Sequence, residues 1–123
     1  MLSVANESNF NVNRGLYAVK FWATWCGPCK VFTPVIEKLD EEYKDIKFLS
    51  IDVDHVSELA KRFKISSLPT ILLLSDGEEV GRILGVQLIQ TLRTQLDGVL
   101  SQYGPPVEDK VIEEPVLDQA VSG

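Results

Sequence analysis

Residues 16–23 (LYAVKFWA) form a nearly continuous apolar run, and this run most limits how the chain of 123 residues can fold. Its β-branched and aromatic side chains are typical of a β-strand. A strand without polar alternation is covered on both faces, which requires helices on each side of the sheet. The run therefore predicts a central strand, in which Lys20 is the only charged residue.

The segments that follow alternate between helical and extended patterns. A helix is predicted over residues 27–43, where apolar side chains recur at helical spacing. Pro34 lies inside this pattern and should kink the helix, because proline lacks the N–H that the preceding turn needs. Residues 47–53 have the pattern of a second strand, and Asp54 should cap a short helix that ends near Phe63.

The second half of the chain predicts a hairpin and a last helix. Strands at residues 69–75 and 79–84 are joined by an Asp-Gly pair, which is typical of tight hairpin turns. Helical spacing of apolar residues predicts a helix over residues 88–103, and residues 2–13 should hold a short strand and a short helix. The predicted fold class is α/β, with a mixed sheet of about five strands flanked by about four helices.

The charge of the chain excludes several classes of partner. With 12 Lys and Arg against 18 Asp and Glu, the net charge is -6, which argues against nucleic acid or an anionic membrane surface. No apolar run approaches the roughly 20 residues of a membrane-spanning helix. The chain starts without a basic cluster or a long apolar run, so we expect a cytoplasmic protein whose thiols are under reducing conditions.

Most of the negative charge lies in residues 104–123, which hold Lys110 as their one basic residue. This segment contains three prolines and no aromatic residue, so it cannot bury much surface. We predict one domain over residues 1–103 and a mobile, disordered acidic tail over residues 104–123. The tail either is solvated without a dedicated role or docks its apolar residues on a partner or on the domain.

The two cysteines, Cys26 and Cys29, lie three positions apart where the predicted central strand gives way to the helix. At this spacing they can close a disulfide across one turn, which Gly27 and Pro28 set. The positive end of the helix favours a thiolate on Cys26, the species that attacks a disulfide sulfur. Cys29 would then resolve the mixed disulfide, and Trp25 would flank the site.

Two other interpretations of the cysteine pair are a zinc site and a pair of buried small hydrophobes. Zinc needs three or four ligands, whereas His55 is the only histidine and there is no third cysteine, so no metal site is predicted. A role as small hydrophobes does not account for Gly-Pro between the two thiols. His55 itself is expected to be an ordinary surface residue.

The run KFWATWCGPCK at residues 20–30 resembles the active-site segment of the thioredoxin family. The similarity covers about residues 8–103 and continues at Pro34, Asp52, residues 68–70 (LPT), residues 76–77 (DG) and Gly85. The Cys-Gly-Pro-Cys sequence differs from the Cys-Pro-Tyr-Cys that glutaredoxins usually carry. The resemblance implies the thioredoxin fold and a protein-disulfide reductase that acts by dithiol–disulfide exchange.

The resemblance also implies how the site meets its partners. The Leu68–Pro69 bond is expected to be cis and to lie beside Cys26, and the backbone of Leu68 to pair with an extended substrate segment. The apolar rim would consist of Trp25, Gly27, Pro28, Leu68, Gly85 and Val86. The implied partners are disulfide-containing proteins and a separate thioredoxin reductase, usually a flavoprotein; the chain would act as a monomer without a bound cofactor.

Lys20 departs from the family pattern, which usually has a buried aspartate six residues before the nucleophile. That aspartate helps to deprotonate the resolving thiol, and a protonated lysine cannot do so. Three outcomes are open: Lys20 extends its ammonium to solvent, stabilises the thiolates by charge, or is desolvated and acts as the base. The lysine that family members have near the aspartate falls on Leu49 or Phe48.

A second functional class stays open at this point. Thioredoxin-like proteins can serve as subunits that clamp onto a larger enzyme independently of their cysteines. Such a binding subunit would tolerate loss of both thiols, whereas a reductase would not.

Overall fold

The computed structural model describes residues 3–4, 12 and 14–104, and the fold follows from these. Five strands and three helices lie along this part of the chain: β1 (Ser3–Val4), β2 (Leu16–Trp22), α1 (Gly27–Glu42), β3 (Ile46–Asp52), α2 (Ser57–Arg62), β4 (Thr70–Ser75), β5 (Glu78–Leu84) and α3 (Ile89–Tyr103). None of these helices is long and apolar enough to cross a membrane. The predicted α/β class is confirmed.

The strands form one mixed sheet in the order β1-β3-β2-β4-β5. β1 and β2 both pair with β3 in parallel, and β4 is antiparallel to β2 and to β5. The predicted mixed sheet and its hairpin are thus confirmed. β2 lies in the middle of the sheet, and the carboxyl ends of β2 and β3 meet at the edge where α1 begins.

Each face of the sheet carries its own apolar core. On one face, Leu16 and Ala18 of β2 pack with residues of α1 and α3, among them Phe32 and Leu92. On the other face, Val19 and Phe21 pack against α2 and its flanking residues. Because side chains alternate along a strand, Lys20 belongs to the face covered by α1.

The short helix α2 begins later than predicted. It starts at Ser57 with Val56 in the N-cap position, so the expected cap at Asp54 is wrong. The carbonyl of Asp52 accepts the N–H groups of both His55 and Val56, and its carboxylate accepts the N–H of Asp54 at 2.9 Å. These bonds form a tight turn after β3, which leaves Asp54 outside the helix.

Other boundaries differ from the predictions by one or two residues. β3 begins at Ile46 and ends at Asp52, and β4 begins at Thr70 rather than at Pro69. Pro34 lies inside α1 as predicted, and the kink there stays a prediction. The strand predicted near the start is β1, whereas the short helix predicted there and the tail beyond residue 104 fall outside the described residues.

Arg82 of β5 joins the end of the sheet to the end of α2. Its guanidinium donates to the carbonyl of Phe63 at 2.7 Å and to that of Lys64 at 3.3 Å, and it pairs with the Glu79 carboxylate at 2.8 Å. A planar fork of donors suits this geometry, since it satisfies carbonyls at a helix C-terminus and a carboxylate together.

We expect Arg82→Ala to lower the free energy of unfolding by about 1–3 kcal/mol, since charge-assisted bonds to a partly buried carbonyl are lost. Urea denaturation would measure this loss. Arg93→Ala is the matched control because it removes a surface pair with Glu42, and its effect should be smaller. Equal losses in the two variants would contradict the role given to Arg82.

Tyr43, at the end of α1, ties that helix to α3. Its hydroxyl donates to the Asp97 carboxylate at 2.8 Å. Burial of the phenol, and then this hydrogen bond, raise the pKa of Tyr43 to about 12. Because the folded pKa lies above the usual one, the contribution to stability is complete below pH of about 10 and is lost as the pH rises towards 12.

An ultraviolet titration of phenolate absorbance should therefore show one late tyrosine step that Tyr43→Phe removes. Asp97→Asn should move that step to lower pH, because the acceptor carboxylate is gone. A late step that survives in Tyr43→Phe would show that another tyrosine produces it.

Candidate active site

Cys26 and Cys29 lie where β2 ends and α1 begins, as predicted. Cys26 is the N-cap of α1, and Pro28 stands in the first turn, where its missing N–H costs no helical bond. The two cysteines form a disulfide with their Cα atoms 5.4 Å apart. Cys26 Sγ also accepts the backbone N–H of Cys29 at 3.2 Å. The amino end of α1 thus places a positive dipole end and an amide directly at this sulfur.

Both cysteines are buried, and Cys29 slightly more than Cys26. Cys26 is 5% exposed and Cys29 is 1% exposed, and both pack with the buried Ala23. Cys26 caps α1, and Cys29 lies about one turn further along the chain.

The loop before β4 forms the second wall of the site. The Leu68–Pro69 peptide bond is cis, as expected. Leu68 packs against the cluster that holds both cysteines, so this loop lies beside the disulfide.

The end of β5 extends this second wall. Gly85 donates its N–H to the Pro69 carbonyl at 2.9 Å and adopts φ of +76°, a conformation that side chains rarely tolerate. Val86 beside it is 47% exposed. Four of the residues predicted to bind substrate are therefore contiguous: Leu68, Pro69, Gly85 and Val86.

Trp25, next to Cys26 in the chain, is 70% exposed and lines a pocket together with Leu68. Its indole Nε1–H donates to Asp54 Oδ2 at 2.9 Å. Asp54 therefore orients the tryptophan instead of capping a helix, a role that the sequence analysis missed. The signal for it was available, since Asp54 comes just after β3, at the same edge of the sheet as Cys26.

An apolar pocket of about 230 Å³ lies next to Trp25 and extends towards α2. Its lining includes Leu68, Val53, Ala60 and Ile65. This pocket thus extends the predicted apolar rim towards α2.

His55 is a surface residue, as expected. Its side chain is 81% exposed, and Nδ1 lies 3.1 Å from Asp52 Oδ2. Within the described part of the chain, no three histidine, cysteine, aspartate or glutamate residues are grouped as a metal site would require.

Lys20 is buried beneath the first turns of α1 and is only 3% exposed. This low exposure argues against the alternative in which its ammonium extends to solvent. Lys20 Nζ donates to Thr33 Oγ1 at 2.7 Å, and that hydroxyl donates to the Cys29 carbonyl at 3.1 Å. Burial lowers the pKa of Lys20, and the negative charge of Glu37 opposes the shift.

The position opposite Lys20 on the neighbouring strand is Ser50, which pairs with it in the sheet register. Leu49 packs with the core on the other face of the sheet, and Phe48 lies two residues nearer the start of β3. Neither residue predicted for the family's second lysine position therefore pairs with Lys20 across the strands.

Comparison with known proteins decides the family. The thioredoxin family model matches residues 2–98. The chain belongs to the thioredoxin family. It is 42% identical over 94 residues to a thioredoxin of Staphylococcus haemolyticus, an alignment that spans 74% of this chain and 90% of the relative. It is 49% identical over 70 residues to thioredoxin-2 of Saccharomyces cerevisiae, which spans 57% of this chain and 67% of the relative.

Solved structures agree with this assignment. The oxidized form of mitochondrial thioredoxin 3 from Saccharomyces cerevisiae superposes with a TM-score of 0.72 at 31% identity, covering 79% of this chain and 94% of that chain. The predicted thioredoxin fold is confirmed. The protein is a thiol–disulfide oxidoreductase that reduces protein disulfides by dithiol–disulfide exchange. Thioredoxins act on disulfide substrates, are reduced by thioredoxin reductase, and generally need no cofactor.

We expect Asp54→Ala to reduce kcat/KM for a disulfide-containing protein by about three- to tenfold, since an exposed hydrogen bond is worth roughly 1 kcal/mol. The loss should appear mainly in KM, because the released indole no longer presents a fixed apolar surface. Asp45→Ala, an exposed change in the turn before β3, is the matched control. A full-rate Asp54→Ala enzyme would show that the bond to Trp25 is unimportant for substrate binding.

Proposed function

We propose that Cys26 is the nucleophile of this reductase and Cys29 its resolving thiol. The observation that carries the proposal is the position of Cys26 at the N-cap of α1, where a backbone amide and the helix dipole meet its sulfur. Such a site lowers the pKa of a thiol and so raises its thiolate fraction. Cys29 is more deeply buried and within disulfide reach, which suits the second step.

The reaction consists of two exchanges. The Cys26 thiolate attacks one sulfur of the substrate disulfide, which forms a mixed disulfide and releases the other sulfur as a thiolate. Cys29, after losing its proton, then attacks Cys26 Sγ, which closes the Cys26–Cys29 disulfide and releases the second substrate thiolate. Two electrons pass from the cysteine pair to the substrate.

Two single substitutions test these roles. With a disulfide-containing protein, Cys29→Ser should accumulate a mixed disulfide through Cys26, whereas Cys26→Ser should form none. Mass spectrometry without reductant would measure the adducts. An adduct of Cys26→Ser that forms as fast as that of Cys29→Ser would reverse the assignment.

The double variant Cys26→Ser, Cys29→Ser separates reductase function from scaffolding. If the protein acts only as a reductase, the double variant should have no function in a cell, because both electrons come from these thiols. A cellular function that persists in the double variant would belong to a binding subunit.

We also propose that the substrate binds as an extended segment over Leu68 and Val86. The free backbone groups of Leu68 would pair with the main chain of the substrate, which gives affinity with little sequence preference. The exposed Val86, together with Trp25, Gly27 and Pro28, would contact its side chains.

We expect Val86→Asp to raise KM for a disulfide-containing protein severalfold while leaving reduction of a small aromatic disulfide nearly unchanged. Only the larger substrate reaches across β5, and a charge there must be desolvated on binding. Tyr103→Asp is the matched control, since Tyr103 is 42% exposed and lies about 20 Å away along α3 at roughly 1.5 Å per residue. Equal effects of the two variants would argue against this groove.

The remaining features of the proposal concern the cellular setting. We propose that the chain works in the cytoplasm as a monomer, re-reduced there by a separate flavin-containing thioredoxin reductase. The domain would comprise residues 1–103, with residues 104–123 outside the catalytic unit. A chain ending at Gly104 should then keep full reductase activity in an assay coupled to such a reductase.

A further inference from the structure

Lys20 is a buried amine with an unusual set of neighbours. It pairs across the strands with Ser50 of β3 and Ile71 of β4, neither of which carries charge. Among the described residues, no carboxylate lies within ion-pair distance of its Nζ. A buried ammonium without a counter-ion is costly, so this site favours the neutral amine more than a surface position would.

A hydrogen-bonded chain connects this amine to the turn that carries Cys29. Lys20 Nζ donates to Thr33 Oγ1, and because the Thr33 hydroxyl donates its one proton to the Cys29 carbonyl, its oxygen is left to accept. This arrangement fixes Nζ under the first turns of α1. One N–H of the amine is used, and the lone pair or remaining N–H groups are left for another partner.

Lys20 and Cys29 line the same pocket, through which the amine can reach the Cys29 thiol. The pocket has a volume of about 210 Å³, and its lining also includes Trp22 and Ser50. Its volume is well above the roughly 15 Å³ that one water needs, and Lys20, Thr33 and Ser50 contribute polar groups to its lining. Water held there would give the Lys20 amine and the Cys29 thiol a route for proton transfer.

The charges that face Lys20 come from α1. Lys30 and Glu37 line the same pocket, whereas β3 and β4 present only Ser50 and Ile71. The Glu37 carboxylate raises the pKa of Lys20, and burial, the larger effect, lowers it. Burial thus makes the neutral amine easier to form than in a free lysine.

We propose that Lys20 is the proton acceptor for the Cys29 thiol in the resolving step. This proposal rests on the proposed role of Cys29. In the step, the Cys29 proton passes to the Lys20 amine, the thiolate attacks Cys26 Sγ, and the substrate leaves as a thiolate. The products are the Cys26–Cys29 disulfide, the substrate thiolate and the Lys20 ammonium, which returns its proton to solvent. The ammonium also stabilises the thiolate while the thiolate exists.

Single-turnover kinetics with a disulfide-containing protein test the proposal. Formation of the mixed disulfide should be nearly unchanged in Lys20→Met, whereas its decay should slow by roughly 100-fold, the scale of general base catalysis. A variant that forms no mixed disulfide would point to a failure of the Cys26 step instead. Decay at the wild-type rate would overturn the proposal.

Lys20→Arg separates proton transfer from simple charge. Arginine keeps a positive charge but does not accept a proton near neutral pH, so its mixed disulfide should decay as slowly as that of Lys20→Met. Decay at the wild-type rate would show that charge alone suffices and would refute the base. Glu37→Gln supplies a pH readout: it should shift the rise of the resolving rate to lower pH, because the carboxylate that holds the proton on Lys20 is gone.

A measurement on the unmodified protein keeps the proposal testable if the variants fold poorly. The pKa of Lys20, followed by NMR at Nζ, should be higher in the reduced protein than in the disulfide form. Reciprocity requires this shift, because an ammonium that stabilises a thiolate is itself stabilised by it. Equal pKa values in the two redox states would overturn the proposal.

Discussion

The burial of β2 on both faces is the constraint on which the rest of this structure depends. Because helices cover each face of that strand, its carboxyl end opens at an edge where α1 begins immediately. The cysteines therefore sit at a helix terminus, and not merely near one, and the backbone supplies the local positive potential. The same burial removes Lys20 from solvent. Whether its amine is charged therefore depends on the groups around it.

The site combines two kinds of environment within one turn of α1. Cys26 Sγ accepts a backbone N–H at the start of α1, whereas Cys29 lines the pocket shared with Lys20. Family members usually place an acid where this chain has Lys20, so the charged form of the residue at this position is positive here instead of negative. A carboxylate repels a nearby thiolate until the carboxylate takes up the proton. An amine that has taken up the proton is an ammonium, which attracts the thiolate.

Much of this architecture follows from local pattern. The apolar run of β2, the Cys-Gly-Pro-Cys turn and the Asp-Gly hairpin are short-range signals, and the structure has each of them where it was expected. The missed features depend on distance in space. Aspartate is a favoured residue at a helix cap. In the structure, however, the N–H of Asp54 donates to the Asp52 carboxylate, and the Asp54 carboxylate accepts the indole N–H of Trp25.

The neighbours of Lys20 were beyond sequence reasoning for the same reason. The strand register pairs it with Ser50, and the rotation of α1 brings Thr33 over it, and neither quantity is encoded within a short window. Counting back from Asp52 along β3 instead pointed to Phe48 or Leu49. Burial of the strand was predictable, whereas the partner of its one charged side chain was not.

The hairpin turn at the far end of β2 has a consequence for how this protein can change. There Gly15 donates its N–H to the Asp76 carboxylate at 2.7 Å, and Asp76 returns its own N–H to the Gly15 carbonyl at 3.0 Å. This pair of hydrogen bonds is separated from the disulfide by the whole length of β2, about 20 Å at the usual rise of a strand. Mutations at Gly15 or Asp76 can therefore change thermal stability without changing the electron-transfer chemistry. The two properties are open to separate selection, or to separate engineering, within one small domain.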